Sequence, residues 1–385
     1  MNTENLPVGI DLFCGAGGMS LGFETAGFSV LAAVDSDPVH LRTHSINFPH
    51  CRTLLSDISI LSGNELLARA GLRDRAIHVV FGGAPCQGFS LMGKRRLDDP
   101  RNSLLHHFAR LITEIRPFYF VAENVEGLLK GKTVVFLESF VTSLQGAGYQ
   151  VVLPVQILDS SSFGVPQSRR RVFILGAQMG LPLPQYPTSP SNRESNVTVW
   201  EAIGDIPDVD AFDYLLASDF FSGKLYYPSK YAAFLRNGHE SFGCRGRSQG
   251  VGLNGLSGCT RTKHTAETTR RFAATEPGTY EPVSKFYRLK KDGLAPTLRA
   301  GTARCHGSFT APRPIHPVYP RCITVREAAR IHSFFDWFVF HPTKWHGFRQ
   351  VGNAVPPLLA RAVAEQVRKA FESWMRSGSY ESKYY

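Results

Sequence analysis

Between residues 8 and about 178 the chain alternates short, apolar, β-branched runs with longer stretches in which apolar residues recur every three to four positions. The runs Val8 to Phe13, Ser29 to Val34, His78 to Gly82, Phe118 to Ala122, Gln150 to Gln156 and Arg171 to Leu175 predict strands. Stretches near 18–26, 37–47, 63–70, 102–115 and 134–146 predict helices. Runs that are apolar throughout suit strands covered on both faces, so the pattern predicts an α/β fold with a doubly wound, Rossmann-like parallel sheet.

After Gly180 the texture changes. Leu181 to Pro187 is punctuated by three prolines, and a long region rich in Gly, Arg, Ser and Thr follows without clear periodicity. A helical pattern returns at Ile323, where Thr324 and Glu327 have capping-box spacing, and a last helix is expected from near Pro356 to about Trp374. Three segments are therefore expected: 1–185 as the main sheet domain, 186–320 as a smaller irregular domain, and 321–385 as helices whose apolar faces return to the first.

Composition narrows the class. The 385 residues are 43% hydrophobic, enough for a sizeable core. The polar start Met1-Asn2-Thr3-Glu4-Asn5 lacks the look of a secretory signal, and no apolar run approaches the ~18 residues of a membrane helix, so a cytoplasmic protein is expected. Seven cysteines without a Cys-x-x-Cys pair indicate neither a disulfide framework nor a zinc site, and no metal is expected.

Charge changes the picture more. Net charge is +11, from 43 Lys and Arg against 32 Asp and Glu; residues 221–320 hold 16 of the basic and 5 of the acidic residues. The remainder is balanced, so the whole excess lies in the irregular region, where it favours a polyanionic partner.

The candidate chemistry sits where predicted strands end. The first strand runs into Asp11-Leu12-Phe13-Cys14-Gly15-Ala16-Gly17-Gly18, whose glycines let a ligand approach the backbone. Asp35 ends the second strand, 20 residues after Gly15, where an acid binds ribose hydroxyls. Asp57 and Ile58 would end the third, within reach of an adenine, and the set fits a nucleoside ligand. Gly82 to Ser90 places Cys86 just past a buried strand, behind Pro85. A single cysteine is more often a small apolar core residue than a nucleophile, so its neighbours decide. Glu123, in Glu123-Asn124-Val125, ends the next strand as a candidate general acid, and Gln167-Ser168-Arg169-Arg170-Arg171 opens another, with Arg169 and Arg171 on one side by alternation.

Read together with Gln350-Val351-Gly352-Asn353-Ala354-Val355-Pro356, these motifs resemble, in order and spacing, those of the bacterial cytosine-5 DNA methyltransferases, over essentially the whole chain except about 186–315. The resemblance departs mildly at Cys14 and at Phe334-Phe335-Asp336-Trp337-Phe338, where Phe-Pro-Asp is more frequent. It implies S-adenosylmethionine as cofactor, with Phe13, Gly15, Gly17 and Gly18 lining its pocket, Asp35 on the ribose, Asp57 and Ile58 on the adenine, and Pro85, Asn353 and Val355 completing the site. It implies further that the Cys86 thiolate adds to carbon 6 of a flipped cytosine in double-stranded DNA. Glu123 would donate to ring nitrogen 3, Arg169 would orient the base, and with Arg171 it would favour the thiolate.

By the same resemblance, 186–320 is a target-recognition domain, and Gly88 to Arg96 is a lid that closes on DNA. Candidate DNA contacts are Gln87, Ser90, Lys94, Arg95 and Arg96 on that loop, and Arg245, Arg247, Arg270, Arg271, Lys290 and Lys291 in the basic block. The expected protein is a nucleoid-associated, membrane-free monomer, in a restriction-modification system or working alone. Two alternatives stay open: the tRNA-methylating branch that shares this core, and a silent module that binds cofactor and DNA without turnover.

Overall fold

A computed structural model describes residues 6–85, 104–189, 196–241, 255–302 and 311–377. Two compact units divide the chain, one drawn from Met1–Asp159, Arg170–Ser189 and Leu359–Tyr385, the other from Ser160–Arg169 and Pro190–Leu358.

The first unit holds one eight-stranded sheet: β1 (Val8–Leu12), β2 (Ser29–Asp35), β3 (Arg52–Leu55), β4 (Val79–Gly83), β5 (Tyr119–Asn124), β6 (Tyr149–Val151), β7 (Gln156–Asp159) and β8 (Arg170–Gln178). Strands run in the order β3-β2-β1-β4-β5-β8-β6, with β7 also on β8. The first five are parallel, so their carboxyl ends share one edge, and the order in which strands are added reverses between β1 and β4, the kind of crevice where ligands bind in such sheets.

Helices α1 (Gly18–Thr25), α2 (Pro38–Asn47), α3 (Gly63–Ala70), α4 (Leu104–Ile115) and α5 (Val134–Gly146) lie close to the sequence expectation. Ile10, Val34, Val80, Phe120 and Ile174 are buried in one cluster with Leu66 of α3, Phe108 and Ile112 of α4, and Phe140 and Leu144 of α5. On alternate β4 positions the other face is covered: Phe81 stacks on Phe23 of α1 with ring centroids 3.7 Å apart. Both faces are therefore packed, as the apolar runs required.

Two expectations change. The run Gln150 to Gln156 is two strands, β6 and β7, because Pro154 has no N–H to offer a ladder. The sheet is also mixed: β8 pairs antiparallel with β5, β6 and β7. Antiparallel direction puts the start of β8 at the same edge as the end of β5.

The second unit contains α6 (Val199–Ile203), α7 (Lys230–Ser241), α8 (Ala266–Ala274), α9 (Val325–Ile331) and α10 (Lys344–Asn353). The capping box expected at Thr324 and Glu327 opens α9. Its core is unusual for its buried arginines. Arg330 binds Asp336 at 2.6 Å and Asp205 at 2.5 Å, Arg321 binds Glu327 at 2.8 Å, and Arg326 donates to the carbonyls of Ser257, Phe335 and Phe338. Asp336 of the Phe-Phe-Asp run is thus an ion-pair partner that anchors α9. A final helix, α11 (Pro357–Arg376), belongs from Leu359 onward to the first unit, where Phe371 and Trp374 meet His78 and Phe118 edge-on.

Candidate active site

The carboxyl edge of β1–β5 gathers the acidic motif residues of the first unit. After β1 the chain turns sharply, and Phe13 and Gly15 both take left-handed backbone, at φ 62° and φ 54°. The turn is pinned from β2: Cys14 N–H donates to the Val34 carbonyl at 3.0 Å, and Gly15 N–H to Asp35 Oδ2 at 2.8 Å. A left-handed phenylalanine is a strained conformation that the surrounding bonds must hold, as occurs at ligand clamps.

Asp35 also accepts from its own α2 approach, at Asp37 N–H, 2.7 Å. A carboxylate offers about four acceptor positions, so two N–H bonds leave room for hydroxyl donors of a ligand. Among the described residues, a Cβ built on Gly15 meets nothing within 4 Å, which leaves space beside this carboxylate for a nucleoside. Asp57, past the end of β3, is exposed and accepts the Ser59 N–H at 2.8 Å, which holds its pKa below the usual carboxylate value; Ile58 beside it is buried. Gly17 and Gly18 start α1 and are buried. The donor set is one that fits a nucleoside-bearing cofactor.

At β4 and β5 the geometry is tighter. Gly83 pairs with Glu123 in the parallel ladder, and a Cβ on Gly83 would lie 2.7 Å from Glu123 Oε2. Only a residue without a side chain lets the carboxylate lie there. Asn124 donates its amide to the Ala84 carbonyl at 3.4 Å while its oxygen accepts Val125 N–H at 2.9 Å, and so joins the end of β5 to the residue before Pro85. Pro85 is exposed at the edge. Cys86 follows it directly in sequence, but Cys86, Gln87, Ser90, Lys94, Arg95 and Arg96 lie outside the described residues, as do Arg245 and Arg247.

The three arginines of the β8 approach separate. Arg171 Nε binds Glu123 Oε1 at 2.9 Å, and Arg170 binds Glu126 at 2.8 Å. Arg169 is buried in the second unit, where it donates to the carbonyls of Leu298 at 3.1 Å and Gly352 at 2.8 Å. Gln167 continues that pattern: its Oε1 accepts Leu298 N–H at 2.9 Å, which turns its amide nitrogen toward His332 Nδ1 at 2.8 Å. With Nδ1 accepting, His332 carries its proton on Nε2 and donates to the Ala354 carbonyl at 2.9 Å. Two sequence motifs, Gln167 to Arg171 and Gln350 to Pro356, are stitched together by Arg169, Gln167 and His332. His332 had no signal of its own in the sequence. Within this unit Asn353 is exposed at the end of α10 and Val355 is buried.

The basic block also separates. Arg271 is braced by Glu267 at 3.2 Å and Glu281 at 3.3 Å, and Lys291 lies over the Trp200 ring at 4.4 Å. Arg270, Lys290 and Lys291 are exposed.

Residues 8–369 match the family model for C-5 cytosine-specific DNA methylase. The chain belongs to this family. It is a DNA cytosine-5 methyltransferase. The methyltransferase is 53% identical over 367 residues to the type II methyltransferase M.XorII of Xanthomonas oryzae, covering 94% of this chain and 85% of that protein. It is 33% identical to the type II methyltransferase M.DdeI of Desulfomicrobium norvegicum, over 94% of this chain and 89% of the relative. Among solved structures it resembles a DNA modification methyltransferase encoded within an E. coli prophage, with TM-score 0.80, 32% identity and coverage of 95% and 99% of the two chains. S. pombe Dnmt2 methyltransferase shares the fold at TM-score 0.56 and 15% identity, over 95% and 99% of the chains. A methyl-donor cofactor and a DNA substrate follow from family membership. Among the described residues no helix is long and apolar enough to cross a membrane, and no group of acidic, histidine or cysteine side chains forms a metal cluster.

Proposed function

We propose that this methyltransferase is the modification enzyme of a type II restriction system and that its methyl donor is S-adenosylmethionine, held at the turn Phe13 to Gly18. The observation that carries the cofactor reading is the strained turn fastened to Asp35, beside open space at Gly15. Asp35 would take the ribose hydroxyls, Asp57 and Ile58 the adenine, and Phe13 the flank of the bound molecule. When bound, the cofactor supplies an electrophilic methyl group.

The protein's own part is to activate a weak nucleophile. Carbon 5 of cytosine becomes electron-rich only when a thiolate adds at carbon 6, the role proposed for Cys86. Negative charge then develops on the ring, and a proton delivered to nitrogen 3 disperses it. Glu123, pressed against Gly83 at the end of β4 and paired with Arg171, would take up a proton and hand it to nitrogen 3. Arg171, bound to the same carboxylate, is better placed than Arg169 to orient the base, since the Arg169 guanidinium is committed to two carbonyls. Arg169 then acts through the second unit, by holding Gly352 and Leu298. The segment 186–320 reads DNA, with Arg270, Lys290 and Lys291 as described candidate contacts, and the enzyme works on the nucleoid as a monomer.

Incubation of the purified protein with tritiated S-adenosylmethionine and either duplex DNA or tRNA is expected to label the duplex alone. Bisulfite sequencing of DNA from expressing cells is expected to place 5-methylcytosine in one short sequence context. Label confined to tRNA would overturn the reading. For the cofactor site, Asp35→Ala is expected to weaken calorimetric affinity for S-adenosylmethionine by roughly 10- to 100-fold, the scale of one or two lost charge-assisted hydrogen bonds. DNA affinity should be retained; an unchanged cofactor Kd would remove Asp35 from the site.

A further inference from the structure

Beneath the turn lies a chain of buried polar groups that the reaction does not use. Asp11 on β1, Ser20 on α1 and His44 on α2 are all 0–1% exposed. Ser20 Oγ lies 2.6 Å from Asp11 Oδ2 and 2.9 Å from His44 Nε2. The His44 ring stacks on Phe48, centroids 4.4 Å apart. Phe48 in turn closes the underside of the turn: a Cβ on Gly17, whose φ is 105°, would lie 2.3 Å from Phe48 Cε2 and 3.0 Å from His44 Cδ2. A continuous path therefore joins Asp11 to the backbone of Gly17, which bonds to the Cys14 carbonyl at 2.9 Å.

We propose that Asp11, Ser20 and His44 are positioning residues of the cofactor turn, and that the protonation of Asp11 sets how tightly S-adenosylmethionine is held there. The inference rests on the reading of Phe13 to Gly18 as the cofactor turn. A serine hydroxyl has one proton, so the chain runs in one of two directions. With Asp11 ionised, Ser20 donates to Asp11 and accepts from His44 Nε2–H. With Asp11 protonated, the carboxyl can donate to Ser20 and Ser20 to an unprotonated Nε2, which reverses the chain and moves the His44 proton to Nδ1. One proton at Asp11 thereby changes the hydrogen-bonding state of the ring that supports Phe48 and Gly17.

The surroundings place this change near neutral pH. Burial pushes the Asp11 pKa up to about 8; the Ser20 hydroxyl opposes the rise and the Asp35 carboxylate adds to it. Among the described residues, His44 on α2 and Cys14 on the turn also face the cluster, with Cys51 before β3 acting on Cys14. Burial, Asp35, Asp11 and Cys51 together push the Cys14 thiol well above its usual range, so it remains neutral. Asp11 is already buried, so a bound ligand acts on it through charge: the cofactor's positive sulfonium over the turn favours the ionised form. Cofactor binding should release a proton, and affinity should rise as pH rises through about 8.

Titration calorimetry with S-adenosylmethionine from pH 6 to 9 tests this on wild type, Asp11→Asn and Ser20→Ala. The cofactor's own amino group titrates at about 7.7–8.0, so the readout is the difference between proteins. Wild type is expected to gain about fivefold more affinity than Asp11→Asn between pH 7 and 9, the effect over that interval of a shift of about one pKa unit on binding. Ser20→Ala is expected to raise KM for the cofactor with kcat at saturation retained, which a general loss of structure would not do. Asp11→Asn is nearly isosteric and keeps an acceptor for Ser20, so the comparison survives if Ser20→Ala folds poorly. Parallel pH curves for wild type and Asp11→Asn would overturn the proposal. An unchanged Kd in Asp35→Ala would instead overturn the site on which it rests.

Discussion

Cys86→Ser is expected to lower methyl transfer by roughly 10⁴-fold or more, the scale on which loss of a covalent nucleophile is felt. A serine hydroxyl at neutral pH is neither ionised nor soft enough to add to carbon 6, so carbon 5 never becomes reactive. Duplex binding should be retained, because it draws on the basic block and on phosphate contacts rather than on the thiol. The companion measurement uses a duplex with 5-fluorocytosine at the target position. Wild type should remain covalently attached, since fluorine cannot leave as the proton does, and mass spectrometry should locate the adduct on Cys86. A serine variant with near-normal rate, or an adduct on another residue, would sink the mechanism.

Glu123→Gln is expected to slow turnover by roughly 10²- to 10⁴-fold, the range for a lost general acid. Its shape and its place against Gly83 are kept, but an amide cannot take up a proton and hand it on, and it carries no charge to hold Arg171. Cofactor affinity should stay near wild type, because Asp35 and the turn are untouched. Arg171→Ala should fall on the same path, and the double variant should be little slower than Glu123→Gln alone, because the two act as a pair. Measurement of single-turnover rates and cofactor Kd for the three proteins checks this. Additive losses would mean that Arg171 acts on something other than Glu123.

Much of the candidate site is legible in the sequence. Asp35, Asp57 and Glu123 lie at ends of predicted strands, and parallel strands must bring those ends to one edge. Glu123 and the Pro85 approach follow from β4 and β5 being neighbours, and Asn124 fastens them. The arginines were less legible. Strand alternation put Arg169 and Arg171 on one side, yet Arg169 precedes β8 and is buried in the second unit, so the two guanidiniums serve different partners. Alternation applies only within a strand. The Asp11, Ser20 and His44 chain gave no signal, since a polar residue in an apolar run looks like a simple interruption until its partner on another helix is known.

The sequence alone determined the alternation of strand and helix, the burial of the sheet on both faces, and the order of motifs that marks the family. These follow from hydrophobic periodicity and from short local patterns, which the chain carries residue by residue. Tertiary structure alone decided that β8 runs against β5, which sets Arg171 on Glu123, and that His332 bridges Gln167 to Ala354. Periodicity records which side of an element is buried but not the direction of the neighbouring strand. Contacts between residues far apart in sequence, such as Gln167 with His332, exist only once the fold has closed the loop between them.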